Sequence, residues 1–303
     1  MDFEKISDDV YVFHSAVNIG YVHKGDQGLL IDAGIDQSAA NKVLRQLEEH
    51  HLPVTHLFIT HAHSDHFGGA AQLQKKTDVY TLAPFFEEAI MRYPKLEPMY
   101  LFCGNNPPKE MRNKFLEGSP IRIDHVCWEG LLDVGNFHLE LFYLPGHSDY
   151  QLAVKVDGIL FAADSYFSKE QLHKHKIPFM IDVGEGIESL EKVKNIPCGG
   201  AVPGHGVFEK DFQETVQYNI AFHQAILEES VALIRECSEG VSHEEIVRLM
   251  CKKREVLAQN VSSWTLFRTA VTAYLKKLVD DGRVRMELND YTLSYVLKED
   301  ETA

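Results

Sequence analysis

The segment ITHAHSDHFGGA, residues 59–70, places His61, His63, Asp65 and His66 within six consecutive positions. It completes an apolar run, HLFIT, that has the composition of a buried strand. Imidazole and carboxylate groups are costly to bury without partners. They are also the ligands that Zn²⁺ and its first-row neighbours prefer. The segment therefore indicates a metal site at the end of a strand, and this interpretation is favoured over a solvated polar turn.

Three later residues stand in similar settings: His147 in LPGHSD, Asp164 in LFAADS and His205 in VPGHG. Each follows an apolar run and is expected at a strand end or a glycine turn. Any one of them alone would be interpreted as an ordinary polar residue at the end of a strand. Together with the first four they make seven candidate ligands, which is about what two neighbouring ions require once water is counted.

The series HAHSDH, PGHS, AAD and PGHG, in this order, resembles the metallo-β-lactamase superfamily of binuclear metal hydrolases over roughly residues 5–235. The resemblance implies an α/β fold, a four-layer αββα sandwich with the metals at one edge between the sheets. It also implies two divalent ions, with Zn²⁺ favoured and Fe²⁺ or Mn²⁺ as alternatives. The implied ligands are His61, His63 and His147 for one ion, Asp65, His66 and His205 for the other, and Asp164 as the bridge.

A binuclear centre of this kind would hold a water between two cations and lower its pKa towards neutrality. The bridging hydroxide would attack a carbonyl or phosphoryl centre, and we expect Asp65 to orient it and to carry a proton to the leaving group. Asp32, in the early segment LLIDAG, is expected to fix ligand geometry or, alternatively, to cap the helix that follows. Tyr166 either donates to a substrate carbonyl or packs in the core, and the second interpretation is favoured.

The remaining chain predicts a large catalytic domain and a small appendage. Residues 1–237 are expected to form the catalytic domain, with a helical insertion at about residues 84–118 that contains two short helices and faces the substrate. Residues 241–303 read as two helices and a hairpin, which resembles a winged-helix-like α+β domain, after a linker near residues 238–242. The pair His173 and His175 is expected in a solvated turn.

The composition of the chain bears on its class and on its expected cellular location. The chain has 303 residues, of which 45% are hydrophobic and 25% charged, as is typical of a globular protein with a core. The acidic start MDFEKISDDV has no feature of a secretory signal, and no apolar window is long enough to span a membrane. The five cysteines are scattered and form no C-x-x-C pair, which indicates reduced thiols. We therefore expect a cytoplasmic protein without membrane contact.

The leading functional hypothesis is hydrolysis of a small ester, thioester or lactone. Antibiotic hydrolysis is disfavoured because relatives with that activity usually carry a cysteine where this chain has Asp164. The alternative is a metal-dependent endoribonuclease or phosphodiesterase whose C-terminal region binds nucleic acid. A net charge of −15 argues against nucleic-acid affinity, although residues 241–298 carry ten Lys and Arg against seven Asp and Glu.

The basic residues of the C-terminal region could contact phosphates, or the region could simply pack on the sandwich or form a homodimer; the packing interpretation is favoured. Removal of residues 241–303 is accordingly expected to leave small-ester activity intact. The basic candidates are Lys252, Lys253, Arg254, Arg268, Lys276, Lys277, Arg283 and Arg285.

Overall fold

Two β-sheets pack face to face in the computed structural model, which describes residues 1–237 and 240–298. The first sheet has the strand order β1-β2-β3-β4-β5-β6-β7, antiparallel as far as β4 and parallel from there on. Its strands are β1 (Asp2–Lys5), β2 (Val10–His14), β3 (Ile19–Lys24), β4 (Gln27–Ile31), β5 (His56–Phe58), β6 (Tyr80–Pro84) and β7 (His125–Cys127).

The second sheet has the order β12-β11-β10-β9-β8, and β12 is parallel to β11 while the other neighbours are antiparallel. Alternate residues of the strand over residues 137–143, namely Phe137, Leu139 and Leu141, are buried against the first sheet. The strands are β8 (Gly130–Val134), β9 (Phe137–Tyr143), β10 (Leu152–Val156), β11 (Ile159–Ala163) and β12 (Ala201–Pro203).

Helices cover the outer face of each sheet. Ala40, Val43 and Leu47 bury one side of α1 (Gln37–Glu49) on the first sheet. A separate cluster buries the second sheet under α7 (Val183–Lys194) and the first half of α8 (Gln213–Arg235). The other helices around the sandwich are α2 (Ser64–Phe67), α3 (Ala70–Lys76) and α6 (Lys169–His175). These layers agree with the predicted α/β sandwich.

The insertion differs in detail from its prediction. It contains α4 (Glu87–Arg92), α5 (Leu96–Leu101) and a 3-10 turn at Lys109–Met111. Helix α5 tolerates Pro98 because this residue lies in its first turn, where a missing N–H costs little. The second predicted helix is reduced to the turn, because the Asn113 side chain bonds backbone groups nearby and competes with helix formation.

The C-terminal region contains a small antiparallel sheet in the order β13-β15-β14, flanked by helices α9 (His243–Lys253) and α10 (Val261–Asp280). Its strands are β13 (Val241–Ser242), β14 (Val284–Asn289) and β15 (Thr292–Leu297). The second half of α8 packs in the same core as these helices, so α8 is shared between the two parts of the chain. Residues 238–239 of the predicted linker and residues 299–303 lie outside the described residues.

None of the helices within residues 1–237 and 240–298 combines the length and apolar character needed to cross a membrane.

Candidate metal centre

The candidate ligands follow the ends of different strands and meet at one edge of the sandwich. The segment with His61 begins three residues after β5, and His147 lies four residues after β9. Asp164 directly follows β11, and His205 lies two residues after β12. Each of these positions is a loop at a strand end, so residues far apart in sequence can face a common point.

Three imidazoles form the first group of donors. His61 Nε2 lies 3.0 Å from His63 Nδ1, which lies 2.8 Å from His147 Nε2. The donor atoms of all three residues lie within 4.8 Å of one another. This geometry suits a single tetrahedral ion with nitrogen ligands.

Asp65, His66 and His205 form the second group, and Asp164 lies between the two groups. His66 Nε2 is 3.3 Å from Asp164 Oδ1, and His205 Nε2 is 3.4 Å from Asp164 Oδ2 and 3.4 Å from Asp65 Oδ2. The Oδ2 atom of Asp164 is also 3.4 Å from His147 Nε2 in the first group. The carboxylate of Asp164 therefore faces the donors of both groups.

Two observations show that a divalent metal fits these residues. His66 Nε2 and Asp164 Oδ1 are buried and have no hydrogen-bond partner among the described residues, although an orphaned buried polar atom is costly. A Cβ atom at Gly204 would lie 2.0 Å from Asp164 Oδ1, so only glycine leaves the space beside this carboxylate open. Imidazole and carboxylate donors of this kind suit zinc, iron and manganese alike.

The three imidazoles of the first group have lowered pKa values. Burial, together with neighbouring His147, lowers the pKa of His63 to about 3. Burial likewise holds the pKa of His61 well below its usual value and lowers that of His147. These three imidazoles are therefore neutral at physiological pH, as metal ligands must be.

The second group holds protons that an ion must displace. Burial opposes a charge on His205, but the Asp164 carboxylate outweighs it and raises the pKa to about 10. The pKa of His66 is also raised well above its usual value, because Asp164, Asp32 and Asp65 together overcome burial. In turn, burial would raise the pKa of Asp164, but His205 and His66 hold it well below the usual range.

A hydrogen-bond network behind the ligands fixes their orientation. His66 Nδ1 donates to Asp32 Oδ2 at 2.8 Å, and the Thr60 hydroxyl donates to the same carboxylate at 3.0 Å while lying 3.1 Å from His61 Nδ1. His147 Nδ1 donates to the Phe179 carbonyl. Donation from one ring nitrogen leaves the other nitrogen free to face the metal position. The residue that caps α1 is Asp36, so the alternative capping role for Asp32 is wrong.

The backbone is strained beside the site. Ala163, immediately before Asp164, has a φ of +51°, and Asp32 has a φ of +66°. Both values lie in the left-handed region, which costs an alanine on the order of 1 kcal/mol. Such strain is characteristic of sites where the chain must aim a side chain in one direction.

Sequence reasoning missed several residues that support the site because they belong to no motif. The buried Glu87 carboxylate accepts from Ala62 N at 2.8 Å and Tyr150 N at 3.0 Å, which ties the first histidine loop to the segment after His147. Gln151 accepts from the backbone N–H of Asp164.

A further carboxyl group, that of Glu97 in α5, reaches the site from the insertion. Glu97 Oε1 lies 4.0 Å from His63 Nε2. Burial raises the pKa of this carboxyl group well above its usual value, and the nearby charge of Asp65 acts in the same direction. The only sequence signal for this residue was its place in an insertion expected to face the substrate.

The structure bears on the predictions for three other residues. Tyr166 is fully buried and stacks on Phe212, in agreement with the favoured interpretation as a core residue, and it is not among the described residues that line the cavity. His173 and His175 belong to helix α6 rather than to a turn. His173 lies 2.9 Å from the Tyr218 hydroxyl, whereas the half-buried His175 lines the cavity.

A binuclear-type donor set at the edge of an αββα sandwich defines the class of protein. The family model described as the metallo-beta-lactamase superfamily matches residues 13–205, and the chain belongs to this family. Its relatives make it a metal-dependent hydrolase. A probable metallo-hydrolase of Bacillus subtilis is 28% identical over 193 residues, which are 63% of this chain and 80% of the relative.

A hydroxyacylglutathione hydrolase of Aeromonas hydrophila is 30% identical over 134 residues, which are 44% of this chain and only 42% of the relative. Among solved structures, a metallo-beta-lactamase family protein of Thermus thermophilus superposes with a TM-score of 0.75 at 18% identity. That superposition covers 97% of this chain and 100% of the other, so the shared fold includes the C-terminal region.

Proposed function

We propose that the chain is a binuclear metal-dependent hydrolase of a small ester, thioester or lactone. The observation that carries the proposal is the position of Asp164, whose carboxylate lies between two groups of donors at the floor of a cavity. Two divalent ions held there, by the three imidazoles on one side and by Asp65, His66 and His205 on the other, would polarise the scissile carbonyl and lower the pKa of the attacking water.

The chain's own residues would then orient the reaction. Asp65 lines the cavity and its carboxylate lies beside His205, so it can hold the attacking water and receive its proton. Asp32 and Thr60 would keep His66 and His61 in the tautomers that face the metals. The buried floor and its apolar surroundings exclude bulk water and strengthen these interactions.

We also propose that residues 241–303 form a winged-helix-like domain that serves a small-molecule enzyme rather than a nuclease. The strand order β13-β15-β14 with α9 and α10 supports the domain assignment. Most of the basic residues that could contact phosphates form ion pairs with acidic side chains, which supports a small-molecule role. The ion pairs are Arg254–Glu229, Arg268–Glu244, Lys276–Asp182, Lys277–Asp281, Arg283–Glu228 and Arg285–Glu287.

The test compares thioester, lactone and phosphodiester reporters with the zinc- or manganese-loaded protein. The variant Asp164→Ala should lose turnover by at least a hundredfold and bind fewer than two ions per chain. Asp133→Ala is the matched control, because Asp133 is 80% exposed and lies on β8, away from the cavity.

Cleavage of RNA alone, suppressed steeply by salt, would favour the alternative function. Full turnover by Asp164→Ala would refute the bridging role of this carboxylate.

A further inference from the structure

A cavity of about 530 Å³ opens directly above the metal donors. A volume of this size is typical of pockets that enclose small ligands. Its apolar lining includes residues that are distant in sequence: Leu116 from the insertion, Ile177 and Phe179 from the segment after α6, and Leu266 and Phe267 from α10.

The walls of the cavity are largely apolar. Leu116 and Ile177 are buried. Phe179 and Leu266 pack against a small apolar cluster of the insertion that includes Leu116. Phe115, at 65% exposure, stands at the cavity mouth. Such a wall favours the binding of an apolar ligand, because the binding free energy falls in proportion to the apolar area that is removed from water.

The cavity has few cationic side chains to receive an anionic substrate. Among the described residues that line it, Lys174 is the one Lys or Arg. A glutathione conjugate carries two carboxylates and a nucleic acid carries a phosphate at each step, and both need several cationic partners. The cavity does not offer these partners.

We propose that the substrate carries an apolar acyl group of several carbons, bound between the insertion and α10, with its ester or thioester carbonyl over the metal donors. This inference rests on the proposed function. It assigns to α10 a direct part in substrate binding, because Leu266 and Phe267 form one wall of the cavity. Removal of residues 241–303 therefore strips that wall, contrary to the expectation from the sequence that small-ester activity would survive.

The experiment measures kcat/KM for acetyl, butyryl and hexanoyl thioesters of N-acetylcysteamine, and for S-lactoylglutathione, with the zinc-loaded full chain. Each buried methylene should raise kcat/KM about fourfold, so hexanoyl should exceed acetyl by roughly 200-fold if all four added methylenes are buried. The variant Leu266→Ala should lower kcat/KM for the hexanoyl thioester about tenfold and for the acetyl thioester less than twofold. Leu257→Ala, the same change at a residue with 79% exposure, is the matched control.

Calorimetry of decanoate and acetate binding, with and without zinc, tests the apolar cavity independently of turnover. Turnover without any dependence on chain length, or a preference for S-lactoylglutathione, overturns the inference and leaves the proposed function standing. Tight decanoate binding that Leu266→Ala weakens, without turnover of any thioester, supports the apolar pocket and refutes the hydrolysis of thioesters.

Discussion

The variant Asp32→Asn should weaken metal binding although Asp32 is not itself a ligand. Its carboxylate accepts the Thr60 N–H at 2.8 Å, the Thr60 hydroxyl at 3.0 Å and His66 Nδ1–H at 2.8 Å. Asparagine tolerates the left-handed backbone of this position and keeps the size of the side chain. However, its single carbonyl oxygen cannot face both Thr60 and His66.

The amide nitrogen of Asn would face His66 Nδ1 and favour the tautomer with the proton on Nε2, which is the atom 3.3 Å from Asp164 Oδ1. A proton on Nε2 prevents this nitrogen from binding a metal. Loss of such an orienting partner typically weakens metal binding by about 10- to 100-fold, which corresponds to about 1.4–2.7 kcal/mol. We expect the loss mainly for the second ion, since His61 is linked to Asp32 only through Thr60.

The assay is competition for zinc with a chromophoric chelator, which resolves two binding steps, together with a thermal melt to show that the variant is folded. Asp36→Asn is the matched control: Asp36 caps α1 near the surface, and Asn caps a helix about as well as Asp. If Asp32→Asn binds both ions as tightly as the unaltered chain, the proposed orienting role of Asp32 is wrong.

Two further predictions concern the second group of donors. Gly204→Ala should abolish binding of the second ion, because the added Cβ would lie 2.0 Å from Asp164 Oδ1. The control Gly199→Ala, whose Cβ would have no contact closer than 3.4 Å, should still bind two ions. Equal zinc stoichiometry in both variants would contradict the prediction. From pH 6 to 8 the affinity for the first ion should change little, since burial lowers the pKa of all three of its imidazoles, that of His63 to about 3. Affinity for the second ion should rise about tenfold per pH unit for each displaced proton, because the pKa of His205 is about 10 without metal. Calorimetry in buffers of different ionisation enthalpy measures the number of protons released. Zero proton release at the second binding step would contradict this prediction.

The strands and the candidate metal ligands can be predicted from the sequence because both depend on local patterns. Apolar runs that end in His or Asp mark buried strands with polar groups at their ends, and β5 and β11 have this form. The order of the motifs then identified the family. The sequence also predicts that Asp32 supports the ligands, but it does not identify His66, 34 positions away, as the partner of Asp32.

The supporting residues could not be predicted because their role depends on tertiary distances alone. Glu87 lies in a short helix of the insertion, and its sequence context is that of a solvated acidic turn; only the folded chain brings it to Ala62 and Tyr150. Tyr166 shows the opposite case. It follows Asp164 by two positions, yet α8 and the second sheet bury it on the far side of that strand end.

The proposed substrate cavity extends beyond the part of the chain that carries the candidate metal ligands. All seven candidate ligands lie within residues 13–205, the part that the family model matches. One cavity wall comes from Leu266 and Phe267, which lie beyond that part. Because the ligands constrain chemistry and the walls constrain what can approach them, the identity of the acyl group has to be sought through α10 and the insertion.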